Sequence, residues 1–418
     1  MCIRRARGIA RVELDRGEDQ LAKILVLDGH SAAALPVTRS AGLAGHWVAV
    51  GANRGAFAAA KLSRYCSTTL DYPVSTSEPQ AFVQSILEFV RANQIDLVVP
   101  LTDWTLGPLS LERERFSGFC MLAMPTHSAI EFASDKFRTI ELAQEIGFGV
   151  PKTRLVRSLA DVSGFKEFGF PVVVKDRFSV RWIQQNAVFG SVAYAYSPED
   201  LQKKVADRLE KAGDVLVQEF VSGQGIGFSC FVASDKTFLP FQWLRVREVD
   251  PRGAASSARK SIPLDEALVS HSQQLITRMG FEGIAMVEYK RTSDGRLVLM
   301  EINGRPWGSI GLPFAAGIDY PRYLIEWCLE GKLPPEKIAY REEILCRRAV
   351  SELTHLSNIR AGRPPNWPAS YPKFWPTLLR MSLPWRPGMC YDDLWISDLR
   401  PGIAALRNWF QVRVKGSS

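Results

Sequence analysis

Glu288, followed downstream by Glu301-Ile302-Asn303-Gly304-Arg305, puts three hard oxygen ligands and one fixed cation on a short stretch of chain. Val287, Tyr289 and the run from Arg296 to Met300 have strand character, and Ser293-Asp294-Gly295 between them is a turn whose glycine can take positive φ. In such a hairpin Glu288 and Glu301 sit across from each other. Side-by-side carboxylates repel unless a cation fills the gap, and magnesium resolves this readily: it takes oxygen ligands and keeps waters or substrate phosphates as the remainder. The plainer reading is a solvated hairpin whose charges happen to face one another. Ile302, Pro306, Trp307 and Ile310 argue against it, because they are not a surface composition and charges in such company need partners.

A chain of 418 residues with 46% apolar content can bury two or three compact cores, so the protein is globular and multi-domain. No run of about 18 apolar residues occurs, and Met1-Cys2-Ile3-Arg4-Arg5 lacks the apolar stretch of a secretory signal, which predicts a cytoplasmic location. The seven cysteines are scattered without C-x-x-C spacing, which argues against a disulfide framework and against a zinc site. The net charge of +8 is uneven: residues 331–418 hold 14 Lys and Arg against 7 Asp and Glu. Clustered cations attract polyanions, but a solvated or packed face is the simpler account. No nucleic-acid motif accompanies these charges, so no nucleic-acid partner is expected.

Residues 1–22 alternate Arg with acids and read as a mobile leader. Order begins near Lys23 with a strand at Ile24 to Leu27, a helical stretch to Ala44 and a strand at Trp47 to Val50. A helix at Pro79 to Asn93, the buried strand Leu97 to Pro100, a helix from Leu106 to Phe116 and a strand at Met121 to Met124 continue the rhythm. Residues 23–125 therefore predict a small doubly wound α/β domain. Its first loop, Asp28-Gly29-His30-Ser31, is no dinucleotide fingerprint. Thr102-Asp103 lies where a small substrate would sit, although Asp103 could equally cap the following helix.

From Ser134-Asp135-Lys136 the chain changes character, with a capped helix from Phe137 to Ile146 and a helix near Asp161 to Phe168. Gly169 to Lys175 then delivers a lysine at the end of a β-branched strand, a candidate phosphate ligand or a merely solvated strand end. Val215 to Val221 is another strand that runs into the polar bend Ser222-Gly223-Gln224-Gly225. Backbone groups where a strand leaves its sheet can meet a purine edge, while an ordinary hairpin explains the glycines equally well.

In this order the pieces resemble the ATP-grasp superfamily over roughly residues 23–330. Ser134-Asp135-Lys136, Pro171 to Lys175, Gln218 to Val221, and Glu288 with Glu301-x-Asn303-x-Arg305 stand where that family has its first lysine, second lysine, hinge and metal hairpin. The stretch from Glu301 to Ser309 is similar to the carboxylate-amine ligase branch, related to the ATP-grasp domains of carbamoyl-phosphate synthetase and biotin carboxylase. The resemblance implies a mixed α/β and α+β architecture. A Rossmann-like pre-ATP-grasp domain at 23–125 precedes a two-subdomain ATP-grasp fold at 126–330, with a nucleotide-lid subdomain at about 151–220.

It also implies roles. Lys136 and Lys175 would bind the α and β phosphates of ATP; Gln218, the Glu219 carbonyl and the Val221 N–H would bind adenine; Glu288, Glu301 and Asn303 would hold magnesium or manganese. Arg305 would clamp an acyl phosphate, and Arg247 with Glu248 would line the active site. The substrates would be a small-molecule carboxylate and an amine, and a homo-oligomer is compatible with this. Bicarbonate phosphorylation and a non-catalytic nucleotide-binding role are the alternatives.

Two departures from the family stand out. Asp176 to Trp182 has no glycine before Gly190 where many relatives carry a glycine-rich phosphate loop, so Arg177, Ser179 or Arg181 would have to cover the phosphates. Gly225 replaces an acid that contacts ribose in several relatives, leaving Gln224 as the substitute. Arg245 and Arg247, two residues apart on a strand, should share a face, and Arg259 could belong to a closing loop. Residues 331–418 hold 10 of the 25 prolines and 5 of the 11 tryptophans, which predicts a small irregular extension around the catalytic body, with helical signals near Glu342 to Ile359 and Asp398 to Phe410. Trp385, Trp395 and Trp409 either fill a small core or touch a membrane or partner.

Overall fold

The computed structural model describes residues 21–183, 186–233, 237–382 and 387–415; the expected leader up to residue 20 and Trp385 lie outside them. The first strands, Lys23–Val26, Trp47–Asn53, Thr68–Tyr72, Leu97–Val99 and Met121–Leu122, form one five-stranded parallel sheet. Lys23–Val26 sits at its centre, between Trp47–Asn53 on one side and Leu97–Val99 on the other. The strand order therefore reverses at this point, and a crevice opens where the loops after the first and fourth strands part. Those loops carry Asp28 to Ser31 and Thr102-Asp103. The strand Thr68–Tyr72 was not legible in the sequence, because its burial alternates and its exposed positions are polar.

A four-stranded antiparallel sheet follows, built from Thr153–Val156, Val172–Asp176, Val192–Ala195 and Val215–Glu219 and backed by the helix Pro198–Ala212. Its own small core contains Val172, Val174, Val215 and Val217. The helix expected near Asp161 to Phe168 is only a single 3₁₀ turn, Leu159–Val162, since Gly164 and Gly169 adopt positive φ and interrupt it.

A seven-stranded sheet carries the rest: Gln224–Val232, Phe238–Glu248, Ser256–Ser261, Gly283–Arg291 and Leu297–Asn303, extended at one edge by Leu345–Arg347 and Met389–Tyr391. Those last two strands correct the expectation that the Pro/Trp-rich extension is irregular. It contributes regular sheet as well as the helices Ala349–Arg360 and Arg400–Lys415. Trp395 stacks against Phe314 and under Arg39, and the Trp409 indole donates to Thr354, so both tryptophans are built into the body.

One continuous core joins the first sheet to the large sheet, with Ile24, Val48, Phe241, Trp243, Trp307 and Tyr320 in a single cluster. Burial of this many large side chains makes the N-terminal sheet a fixed wall of whatever lies between the layers. Among the described residues, no helix is long and apolar enough to cross a membrane.

Candidate functional site

The strands Gly283–Arg291 and Leu297–Asn303 pair antiparallel with Glu288 opposite Glu301 and Met286 opposite Asn303. The register slips between Glu288 and Tyr289, so Met300 is an extra residue. A bulge re-aims side chains, and here Met300, Glu301 and Asn303 all line one cavity with Glu288. That cavity, of about 430 Å³, lies between the small and large sheets. Burial pushes the Glu288 carboxyl above its ordinary range; Arg245 opposes this and the Glu301 charge adds to it. Arg245 Nη2 stands 2.5 Å from Glu288 Oε2 and its Nη1 stands 3.2 Å from Glu248.

Arg247 does not share that face. The pairing of Phe238–Glu248 with Ser256–Ser261 is irregular between Arg245 and Arg247, with Val246 unpaired. The extra residue reverses the alternation. Arg245 and Glu248 line the cavity, while the Arg247 guanidinium grips Glu352 through Nε at 2.9 Å and Nη2 at 2.7 Å. Arg347 and Ser257 bind the same buried carboxylate. The expected role of Arg247 in the active site is thus corrected by a bulge that no residue pattern announces. Arg259, also considered for a closing loop, is fully buried and paired with Asp392.

On Val172–Asp176, alternation sends Val172 and Val174 into the small core and Val173 and Lys175 into the cavity. Burial lowers the Lys175 ammonium to about 8 despite the nearby Glu301, with Lys136 and Lys290 pushing the same way as burial. Lys136 begins the helix Lys136–Glu145, whose N-cap is Asp135, and its Nζ donates to Ser179 Oγ at 2.9 Å. Its charge is likewise disfavoured by burial and favoured by Glu301 and Asp103. Arg177, a candidate for phosphate cover, is instead clamped between Asp135 and Asp214. Ser179 stays beside Lys136, and Arg181 lies against Phe178.

Gln218, Glu219 and Val221 line the cavity where Val215–Glu219 leaves its sheet. The Gln218 amide donates to Thr153 Oγ1 at 2.9 Å, and Lys290 Nζ donates to the Val221 carbonyl at 2.8 Å. Gln224 is turned to the Arg245 carbonyl at 2.5 Å and is not part of the lining; Gly225 is. A Cβ at Gly225 would stand 2.7 Å from Arg245 Cδ, so the glycine gives the arginine its room.

Arg305 donates through Nε to Asp103 at 2.8 Å and through Nη2 to Asn303 Oδ1 at 3.1 Å. Asp103 stands in the first turn of the helix Asp103–Leu111 without capping it. It acts as the anchor that aims Arg305, and the switch-point crevice of the first sheet thereby becomes a wall of the site. The strands Val180–Ile183 and Asn186–Phe189 form a hairpin in the region where a glycine-rich loop was missing, and it is docked on that same wall. Trp182 fits against Gly107, which has no Cβ to obstruct it, and Phe189 meets Trp104 edge-on.

Sequence reasoning brought Glu288, Glu301, Asn303, Arg305, Lys175, Gln218, Glu219 and Val221 to one cavity. It missed Arg245 as the partner of Glu288 and Lys290 as a lining cation, although Lys290 two residues beyond Glu288 was a usable signal. Among the described residues no three His, Cys, Asp or Glu side chains converge as a metal cage. Two facing carboxylates, one of them raised by burial, and one amide oxygen are a donor set that fits a hard cation sharing its coordination with phosphate oxygens.

The family model described as "ATP-grasp in the biosynthetic pathway with Ter operon" matches residues 212–352. The chain is 26% identical over 223 residues to a probable alpha-L-glutamate ligase of Picosynechococcus sp., covering 52% of this chain and 69% of that protein. It is 27% identical over 207 residues to the ribosomal protein bS6–L-glutamate ligase of Shigella boydii, covering 48% of this chain but only 64% of that enzyme. Among solved structures, an L-amino acid ligase from Bacillus licheniformis superposes with a TM-score of 0.56 at 15% identity, over 75% of each chain, which shows a common fold.

Proposed function

We propose that this chain is an ATP-grasp enzyme, an ATP-dependent ligase joining a small-molecule carboxylate to an amine, a reading supported by the family match over residues 212–352 and by the ligases among its relatives. The observation that carries this reading is the convergence of Glu288, Glu301, Asn303 and Arg305 with Lys175 on one cavity beside a strand-exit edge. In this reading Gln218, the Glu219 carbonyl and the Val221 N–H hold adenine, and Lys175 and Lys136 neutralise the α and β phosphates. Glu288, Glu301 and Asn303 hold magnesium or manganese, which when bound screens the phosphate charge. Arg245 favours the ionised Glu288 carboxylate against burial, and Arg305, aimed by Asp103, grips the oxygens of the transferred group.

A substrate carboxylate oxygen forms a bond to the γ-phosphorus as the bond to the β-bridging oxygen breaks, and ADP leaves with that electron pair. The amine then attacks the acyl carbon, the carbon–nitrogen bond forms, phosphate leaves with the acyl oxygen bond, and the ammonium proton passes to solvent. Anionic charge accumulates on oxygens at each stage, and cations already in place stabilise it without rearrangement. No side-chain nucleophile is required.

Purified protein given magnesium-ATP and a panel of acids should release ADP and phosphate only when an amine is added, with hydroxylamine trapping the acyl group as a hydroxamate. Failure to form hydroxamate from any acid of a broad panel counts against the ligase reading. ADP release with bicarbonate alone replaces it with bicarbonate phosphorylation.

A further inference from the structure

A second cavity, of about 380 Å³, lies between the switch-point crevice and the C-terminal helices Ala349–Arg360 and Arg400–Lys415. Ala32 and Arg348 line both this cavity and the first, so the two meet at those residues. One wall is apolar, with Leu35, Pro36, Phe57, Val350 and Trp409. The Trp409 indole is held by its bond to Thr354 at 2.9 Å and by the Arg413 guanidinium lying over its ring at 4.2 Å.

Around the cavity the acids are satisfied, whereas several other polar groups are not. Asp392 is paired with Arg259 and accepts from Cys346 Sγ. Asp393 accepts the Ala349 and Val350 N–H groups at the start of their helix, at 3.1 and 3.4 Å. In contrast, His30 Nδ1 and Ser31 Oγ are buried and have no hydrogen-bond partner. The half-buried Arg348 guanidinium feels the field of Asp393 yet makes no hydrogen bond or ion pair with another described residue. Buried polar atoms in native structures are nearly always partnered, and a cation held beside a cleft suits a carboxylate. An ammonium head would find no free acid here.

Resting on the ligase reading, we propose that this cavity holds the acid substrate, a carboxylic acid with an apolar aromatic or branched aliphatic body. Its carboxylate points to Arg348 at the junction with the nucleotide cavity, and its body lies against Phe57, Val350 and Trp409. The C-terminal extension thus determines which acid is used. It is a specificity element more than a wrapping.

The test uses the full-length protein. Calorimetry without nucleotide compares 3-phenylpropionate and 4-methylpentanoate with acetate and L-glutamate, and hydroxamate formation gives KM for each acid. The apolar acids should bind about tenfold or more tightly than the other two. Ala405→Trp, which fills the cavity from the last helix, should raise their Kd and KM about tenfold and leave the Kd for ATP unchanged. Arg348→Ala should weaken the acids similarly, and Arg348→Lys should recover part of the loss; this pair stands in if Ala405→Trp does not fold. Binding of an apolar acid that is sensitive to Ala405→Trp, without ADP release for any amine, removes the ligase reading and keeps this cavity as an acid site. Hydroxamate formation that is indifferent to both Ala405→Trp and Arg348→Ala overturns this inference and keeps the ligase. No measurable binding of either apolar acid, equal binding of acetate, or a rise in the KM of the amine in place of the acid also overturns it.

Discussion

Arg245 meets Glu288 at 2.5 Å in the cavity between the small and large sheets, directly beside the place where Glu288 faces Glu301 on the neighbouring strand. Glu288 has an arginine at contact distance, whereas Glu301 acts on Lys136, Lys175 and Arg305 through its field, so the two glutamates are not equivalent. In the proposed reading, Glu288 is paired within the protein and Glu301 is the carboxylate that would meet the metal. Glu301→Gln is therefore expected to reduce ADP release by roughly 100-fold to 1,000-fold, with the melting temperature held or raised because a like-charge contact is gone. Turnover and thermal unfolding of the same preparation check both halves.

Arg245 and Arg247 should separate function from stability. Arg245→Ala removes the ion pair of Glu288 and leaves only the fields of Lys175 and Lys290 to offset its charge, so it is expected to lower turnover at least about tenfold, partly offset by raised metal concentration. Arg247→Ala strips one partner from the buried Glu352 and should destabilise the fold by roughly 3 kcal/mol, with Arg347 limiting the damage. Urea unfolding and the metal dependence of turnover distinguish the two variants.

The Lys175 ammonium, lowered to about 8 by burial from an ordinary 10.5, yields a signed pH dependence. Between these values the unfolded chain holds more protons than the folded one, so this group's contribution to stability rises with pH across the window; below pH 8 the charged lysine imposes its full desolvation cost. On the proposed role of Lys175, ATP binding runs the opposite way. It needs the ammonium, so affinity should fall as pH climbs past about 8, with a proton taken up on binding. Calorimetry in buffers of different ionisation enthalpy measures that proton, and Lys175→Met should abolish both the uptake and most of the affinity.

Asp103 bonds Arg305 directly and acts on Lys136 only through its field, so its removal should misplace the guanidinium more than it weakens nucleotide binding. Asp103→Asn, which keeps an acceptor oxygen, is expected to lose less turnover than Asp103→Ala, with both retaining the ATP Kd. Arg305→Ala should lose about 100-fold. A fall in ATP affinity equal to the fall in turnover would place Asp103 on the nucleotide instead.

Gly227 is a packing constraint. A Cβ there would overlap the buried Trp243 ring, which stacks on Trp307 with centroids 6.2 Å apart. Neither indole can retreat inside a filled core, so Gly227→Ala should destabilise by about 1–3 kcal/mol or more, as read from denaturant midpoints.

Local chemistry was legible wherever a periodic pattern and its surroundings agreed. The hairpin from Gly283 to Asn303 was visible because strand residues flank a turn, and its glutamates were readable as a pair because strand alternation keeps positions on one face. The helix Pro79–Asn93 was equally plain from its apolar spacing and its proline start. The helix expected near Asp161 failed because two positive-φ glycines outweighed weak apolar spacing. The two strands of the C-terminal region were hidden because Leu345–Arg347 and Met389–Tyr391 have three residues each, too few for any period to show.

Residue order alone determined the donor set of the candidate site, since the types and spacing of Glu288, Glu301, Asn303, Arg305 and Lys175 are local facts. Which arginine faces that set was decided only in the folded chain, by a bulge at Val246 whose presence depends on how two strands register over their whole length. Tertiary structure alone also decided that Asp103 aims Arg305 from 202 positions away and that Arg348 joins two cavities. Contacts between distant segments arise from the packing of layers against a shared core, and no local pattern encodes which side chains that packing will bring together.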